Sequence, residues 1–227
     1  LDYSELPDSN RFTWTFYNQF RYQLSPQTVL TSTHRYSETS SGGVASDSTN
    51  QYFLVGMEHR FSPNTVFSVN TGAQMREMDG IGGNDSTNPY LELAIRSQVN
   101  EQFGVRAFAR YASEDYDTIV GTPSTEYSDK LTLRVGVSAN YQISPYLSLL
   151  AGLNVISSSY ESGREVVTAA PAGDSSETLV NASIGASLKF TDQMYGTLTY
   201  NFTNSDSDIL GRNYDRNRIS VGLSAQF

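Results

Sequence analysis

Apolar and polar residues alternate along almost the whole chain, and this pattern constrains the fold more than any other feature. From Leu131 to Ile143, every odd position is apolar or aromatic and every even position is polar or glycine. Because successive side chains of a strand point to opposite faces, this period of two gives one apolar and one polar face. The segment is about 13 residues long, which suits a tilted membrane-crossing strand better than an average strand of a globular protein.

The same alternation recurs along the chain, and we predict eleven strands. Only the second segment is blurred, with Leu30 and Tyr36 as its sole large outward candidates. Besides 131–143, the segments cover residues 12–24, 28–36, 53–61, 67–76, 91–99, 103–111, 147–159, 179–190, 194–202 and 219–227.

The connections between these segments alternate in length. Three short ones contain Ser-Pro, at Ser25, Ser62 and Ser144, and two looser copies lie at Asn100 and Thr191. The others are longer and rich in Gly, Ser, Asp and Thr, and they cover 38–50, 79–88, 114–129, 161–176 and 204–215. Short turns on one side and long loops on the other are typical of outer-membrane barrels. We therefore predict an all-β fold, an antiparallel up-and-down transmembrane β-barrel.

Aromatic residues support a membrane environment. The chain has 15 tyrosines and 11 phenylalanines but one tryptophan, and rings cluster near both ends of the predicted strands, as in interfacial girdles. The predicted loop-side belt contains Trp14, Tyr36, Phe53, Tyr111, Tyr160 and Phe202. The alternative is a soluble β-sandwich or lipocalin-like barrel, in which the apolar face would point inward.

The strand count has a consequence for closure. The first strand, 12–24, and the last, 219–227, both run toward the short turns. Two parallel strands cannot close an antiparallel barrel, and bacterial single-chain barrels have an even number of strands. We therefore expect residues 1–227 to form a single barrel domain that lacks one or more N-terminal strands, with at least twelve strands in the complete barrel. A preceding segment or a partner chain would supply the closing strand.

The C-terminal stretch from Asp215 to Phe227 resembles the closing strand of bacterial outer-membrane β-barrels. The Ser-Pro hairpins and the loop that begins at Asn204 are similar to those of the porin-type β-barrel proteins of Gram-negative bacteria. The resemblance implies a location in the bacterial outer membrane, among outer-membrane lipid and lipopolysaccharide. It also implies recognition by the barrel-assembly machinery. The residues that would form this assembly signal are Phe227, Leu223, Val221 and Ile219.

The chain offers little for catalysis. Its two histidines, His34 and His59, fall on the lipid-facing register, so a Ser-His-Asp arrangement in the lumen is not expected. There is no cysteine and no histidine spacing suited to a metal. We predict that the chain is not an enzyme and uses no metal or cofactor. The net charge of −9 argues against a nucleic-acid partner.

Positive charge is concentrated on the polar, lumen-facing register. The basic residues in this register are Arg21, Arg60, Arg76, Arg96, Arg106, Arg110, Arg134, Lys189 and Arg218. Only Glu58 and Glu92 oppose them there, since the other acids, Glu114 among them, are expected in outer loops or at strand ends. Such a lumen would favour anions, because its low-dielectric wall focuses the field. In the alternative, these arginines pair with the glutamates, tyrosines and amides and fill a closed interior.

Two functions follow as hypotheses. The first is a channel for passive diffusion of small hydrophilic, anionic solutes, with the basic residues setting selectivity. The second is a structural or assembly barrel that anchors or docks another envelope component, such as one that exports a surface polymer. Conductance separates the two.

Overall fold

The computed structural model describes residues 11–41, 47–78, 85–114, 125–127, 129–165, 168, 170–209 and 211–225. These residues form eleven long strands and one two-residue strand. The strands are β1 (Arg11–Ser25), β2 (Thr28–Ser41), β3 (Ser48–Ser62), β4 (Thr65–Met78), β5 (Ser86–Gln98), β6 (Phe103–Glu114), β7 (Thr125–Glu126), β8 (Asp129–Ser144), β9 (Leu147–Glu165), β10 (Pro171–Lys189), β11 (Met194–Ser207) and β12 (Tyr214–Ala225). No helix in the described ranges is long and apolar enough to cross a membrane.

Each long strand pairs antiparallel with the next long strand of the chain. The short β7 pairs only with the upper end of β9, where Thr125 lies opposite Glu165. The prediction of an all-β, antiparallel up-and-down sheet is confirmed. The sheet path ends on β1 and β12, which run in the same direction and do not pair with each other within the described ranges. The expectation of at least twelve strands in a closed barrel therefore remains a prediction.

The five short turns are built in one way, which explains their repeated sequence. In each Ser-Pro turn, the serine hydroxyl accepts a hydrogen bond from the backbone N–H two residues later, as Ser25 does from Gln27 at 3.2 Å. Ser62 and Ser144 repeat this contact. In the looser copies, Asn100 Oδ1 and Thr191 Oγ1 take the same role. A side-chain acceptor before the turn thus satisfies backbone donors that the ladder leaves free.

The strands extend further on the loop side than the sequence predicts. β2 reaches Ser41 and β9 reaches Glu165, both inside segments expected to be loops. β10 begins at Pro171, also inside a predicted loop. Above the apolar band both faces are polar, so the alternation ends while backbone pairing continues. The prediction followed side-chain hydrophobicity and therefore placed these strand ends in loops.

The two faces of the sheet differ in curvature and chemistry. Polar side chains two strands apart meet on one face: Arg21 of β1 binds Glu58 of β3, and Gln74 of β4 bonds to the backbone of β6. Such contacts require that face to be concave. The opposite, convex face carries large apolar side chains that are broadly exposed, such as Val137 and Val221.

Aromatic rings line both margins of the convex face. Near the short turns, the rings of Phe103 and Tyr141 lie 6.3 Å apart. Near the loops, Trp14 and Tyr36 lie 5.2 Å apart. Tyr160 was wrongly predicted for the loop-side belt, because it is fully buried on the concave face. It follows three consecutive serines, and without apolar alternation the sequence does not show to which face its side chain points.

Candidate functional site

The strand register places all of the predicted lumen residues on the concave face. This set comprises Arg21, Arg60, Arg76, Arg96, Arg106, Arg110, Arg134, Lys189, Arg218, Glu58 and Glu92. Both histidines lie on the convex face, where His34 stacks on Phe53 and His59 meets Phe61 edge-on. A role of the basic residues in selecting solutes remains a prediction.

Near the short turns, Arg21 forms an ion pair with Glu58 across the intervening strand. Its two terminal nitrogens donate to the two carboxylate oxygens at 3.0 and 2.6 Å. The side chains are 48% and 40% exposed, so solvent screens the pair and it contributes little to stability. The pair is neutral overall, and Glu58 compensates one of the basic residues of the lumen face.

Near the loops, Glu114 binds Arg134 in a second ion pair. Arg134 donates from Nε and Nη2 to the two oxygens of Glu114 at 2.8 and 2.7 Å, and Lys130 Nζ lies 3.9 Å from the same carboxylate. Glu114 is the last residue of β6, so it lies at a strand end, one of the two places expected for it, but its side chain faces the lumen, which the sequence did not predict. It shares the even register of Arg106 and Arg110, so extending that strand by three residues would have found it.

The upper ends of β5 and β6 separate, and side chains of β4 fill the gap. Pairing between β5 and β6 stops at Leu91 and Tyr111. Above this point, Gln74 Oε1 accepts from the Ser113 backbone N–H at 3.1 Å, and Arg76 Nη1 donates to the Glu114 backbone oxygen at 3.3 Å. Gln74 and Arg76 are each only 1% exposed. Their hydrogen bonds take the place of the backbone hydrogen bonds that β5 and β6 do not form at this height. Arg76, which was predicted to line the lumen, therefore has a structural role here.

Arginine and tyrosine side chains fill the concave face of β2–β5. The Arg35 guanidinium lies 3.7 Å from the centre of the Tyr52 ring, which meets the Tyr90 ring edge-on. The Tyr90 hydroxyl donates to Glu92 at 2.8 Å. Arg35 was not predicted as a lumen residue because it belongs to the second segment, 28–36. The alternation there is too weak to show to which face of the sheet each side chain points.

Residues next to the long loops fold onto the concave face of β9 and β10. Arg212 Nη1 donates to the Tyr160 hydroxyl at 3.1 Å and to Glu177 at 2.9 Å. Ile209 packs in a buried cluster with Tyr127 and Tyr160. These contacts cover the Tyr160 side chain, which is fully buried.

Outside the strands, Asp208 ties the segment after β11 to β10. Hydrogen bonds from the Ser176 hydroxyl and backbone N–H lower the pKa of the Asp208 carboxyl. The Ser176 hydroxyl donates at 2.6 Å and the backbone N–H at 3.0 Å. The carboxylate thus fastens one outer loop to the neighbouring strand.

Several basic residues of the concave face have no acidic partner. Within the described ranges, Arg60, Arg96, Arg106 and Arg218 form no ion pair. Arg96 and Arg106 are directly opposite each other in the β5–β6 ladder. Like charges in this position repel unless an anion or water lies between them. The lumen near the short turns, where Arg96 and Arg106 lie, therefore carries uncompensated positive charge.

Loss of the Glu114 carboxylate should destabilise the barrel mouth. Glu114→Ala leaves Arg134 and Lys130 close together without their shared anion, and we expect the free energy of unfolding to fall by about 2 kcal/mol. Chemical unfolding in detergent or lipid measures this loss. Glu58→Ala is the matched control on the more exposed pair and should cost under about 1 kcal/mol. Equal losses would contradict the stabilising role assigned to the Glu114 pair.

A curved antiparallel sheet with an apolar convex face, aromatic margins and a polar concave face is the wall of a transmembrane β-barrel. The family model described as "Outer membrane protein beta-barrel domain" matches residues 67–227. The chain therefore belongs to this family, and it is a bacterial outer-membrane protein. No curated protein matches its sequence.

Solved structures with a similar fold include three large outer-membrane proteins. They are the FrpB iron transporter from Neisseria meningitidis (11% identity, TM-score 0.66), the siderophore receptor PirA from Acinetobacter baumannii (11%, 0.57) and the copper transporter OprC (12%, 0.55). The alignments cover 96%, 96% and 94% of this chain but only 40%, 38% and 41% of those proteins. The chain therefore spans about two fifths of their length. At this identity the likeness shows the fold alone.

The proposed assembly signal lies on the last strand. Ile219, Val221 and Leu223 project from the convex face of β12, with 71%, 80% and 69% of their surface exposed. Phe227 lies outside the described residues. Recognition of this strand by the assembly machinery remains a prediction.

Proposed function

We propose that the chain forms the wall of an outer-membrane channel through which small hydrophilic, anionic solutes diffuse passively. The observation that carries this proposal is the unpaired group of Arg60, Arg96 and Arg106 on the concave face near the short turns. Within the described ranges, no carboxylate compensates them.

Uncompensated arginines in this position would act on passing ions through the field of the lumen. The membrane and the protein wall have a low dielectric constant, so the field of the guanidinium groups is focused into the aqueous space. Arginine keeps its charge at every physiological pH. Anions would therefore enter at a higher local concentration than cations of the same size.

A second candidate function is supported by the filled half of the concave face. Tyr52, Leu54, Tyr90 and Ala112 form a buried cluster there, and Gln74 and Arg76 close the gap beside it. Packing of this kind favours a barrel whose interior is closed. Such a barrel would anchor or dock another envelope component instead of conducting.

We also propose that the chain is not an enzyme. His34 and His59 lie on the lipid side, so neither can serve as a base for a group in the lumen. In the described ranges, no group of three or more His, Cys, Asp or Glu side chains could hold a metal ion.

The test of the channel is ion preference in a planar bilayer under a salt gradient. We expect an open pore whose reversal potential indicates anion preference. The double variant Arg96→Ser/Arg106→Ser should move the anion-to-cation permeability ratio toward one, because it removes two uncompensated charges. The control Arg21→Gln/Glu58→Gln removes a neutral pair from the same face and should leave the ratio unchanged.

Two outcomes would count against the channel. A folded, heat-modifiable barrel that does not conduct would overturn it and favour the anchoring function. A conducting pore whose ion preference is insensitive to Arg96→Ser/Arg106→Ser would remove these arginines from the selectivity role.

A further inference from the structure

The concave face of β8–β12 contains a cavity of about 630 Å³. This volume lies in the range of small-molecule sites. Its lining combines apolar groups with amide, hydroxyl and guanidinium groups, and contains no Asp or Glu among the described residues.

The polar groups of the cavity stand in two adjacent rows across the sheet. The ladder aligns Asn154, Asn181, Thr203 and Arg216 in one row, and Gly152, Ser183, Asn201 and Arg218 in the other. Neighbouring strands are about 4.8 Å apart. Each row thus offers amide and hydroxyl groups at close spacing and ends on β12 with a guanidinium group.

Several of these groups have no hydrogen-bond or ion-pair partner among the described residues. Asn181 Oδ1 accepts from Thr203 at 2.9 Å. In contrast, Asn154 Oδ1 is buried and has no hydrogen-bond partner in the described ranges. Arg216 and Arg218 form no ion pair there either. The cavity therefore holds donors and acceptors that the fold itself does not satisfy.

One end of the cavity is lined by the aromatic ring of Phe108. The Phe108 ring covers Gly136 on the neighbouring strand, since a Cβ at that glycine would lie 2.5 Å from Phe108 Cε1. The ring therefore lies over the β8 backbone at this glycine, and it lines the cavity. An aromatic face of this kind packs against the C–H groups of a ring-shaped ligand.

We propose that this cavity binds a small hydroxylated carboxylate of the sugar-acid class. Arg216 and Arg218 would hold the carboxylate, for which the guanidinium fork is suited. Asn154, Asn181 and Asn201 would exchange hydrogen bonds with hydroxyl groups, because an amide both donates and accepts. This inference rests on the channel proposal for its biological role, since it names the class of solute.

Binding is measured by isothermal titration calorimetry on the purified, folded barrel with three probes. Glucuronate carries the carboxylate and the hydroxyls, glucose lacks the carboxylate, and acetate lacks the hydroxyls. We expect glucuronate to bind at least about tenfold more tightly than either. Glucose or acetate binding as tightly as glucuronate, or no binding of glucuronate, would overturn the proposal.

Two variants and a control assign the binding to this cavity. Arg216→Ser/Arg218→Ser should reduce glucuronate affinity to that of glucose, and Asn154→Ala/Asn201→Ala should reduce it to that of acetate. The control Arg60→Ser/Arg96→Ser removes two unpaired charges on β3 and β5, outside the cavity lining, and should leave the affinity unchanged. Heat modifiability on gels confirms that each variant is folded. An equal loss in the control would overturn the site.

Calorimetry needs no conductance, so the two proposals can fail separately. A barrel that binds glucuronate in this cavity but does not conduct would leave the site standing and overturn the channel. An anion-preferring pore with no glucuronate binding would overturn the site and leave the channel standing.

Discussion

We expect Gly72→Val to prevent the barrel from reaching its folded state. Gly72 lies in the middle of β4, opposite Leu54 of β3 and Tyr90 of β5. An added Cβ would overlap the backbone oxygen of Phe53 and lie 2.9 Å from the Leu54 Cα. Both atoms belong to the backbone, so no side-chain rotation can relieve the overlap. We estimate a loss of more than about 3 kcal/mol in the free energy of unfolding.

The control for this variant is Gly152→Val, another glycine on the concave face in mid-strand. There the nearest atom to an added Cβ is the Ser183 hydroxyl oxygen at 2.9 Å, which can rotate away. Valine favours strands, so this variant should refold nearly as well as the unchanged protein. The measurement is the fraction that migrates as a folded, heat-modifiable band after refolding in detergent. Equal yields for the two variants would contradict the close approach of β3 and β4 at Gly72.

The strands, the short turns and the faces were predictable because each depends on local chemistry. Alternation along β8 fixes both of its faces within one segment. A serine or asparagine before a turn bonds to backbone N–H groups two or three residues later, as Asn100 does with Gln102 and Phe103. Nothing distant in the sequence is needed for either inference. The eleven long strands therefore follow from the sequence almost directly.

The contacts of the concave face were not predictable in the same way. Arg21 meets Glu58 across β2, at a separation of 37 residues. Which side chains meet across two strands depends on the relative register of three strands and on the curvature of the sheet. The sequence identified nine basic residues that face the lumen, although not Arg35 or Arg216, and it could not separate the paired Arg134 from the unpaired Arg106.

The residues missed by the sequence share a physical cause. Glu114, Glu177 and Tyr160 lie where the strands extend past the apolar band, and Arg35 lies in a strand rich in threonine and serine. In these stretches both faces of the sheet are polar, so hydrophobicity does not show to which face a side chain points. Strand parity counted from a well-patterned neighbour would have assigned them, because pairing continues without a break.

The assignment of the two faces has a direct test in adjacent residues of β8. Val137 lies mid-strand on the convex face and Ser138 on the concave face. Val137→Arg places a charge in the lipid core, and we expect it to cost about 2 to 4 kcal/mol. Ser138→Arg places the same side chain on the polar concave face and should cost under about 1 kcal/mol. Guanidinium unfolding in liposomes measures both. If Ser138→Arg proved the more damaging variant, the concave face would be the dry one, and both the channel and the binding site would lose their basis.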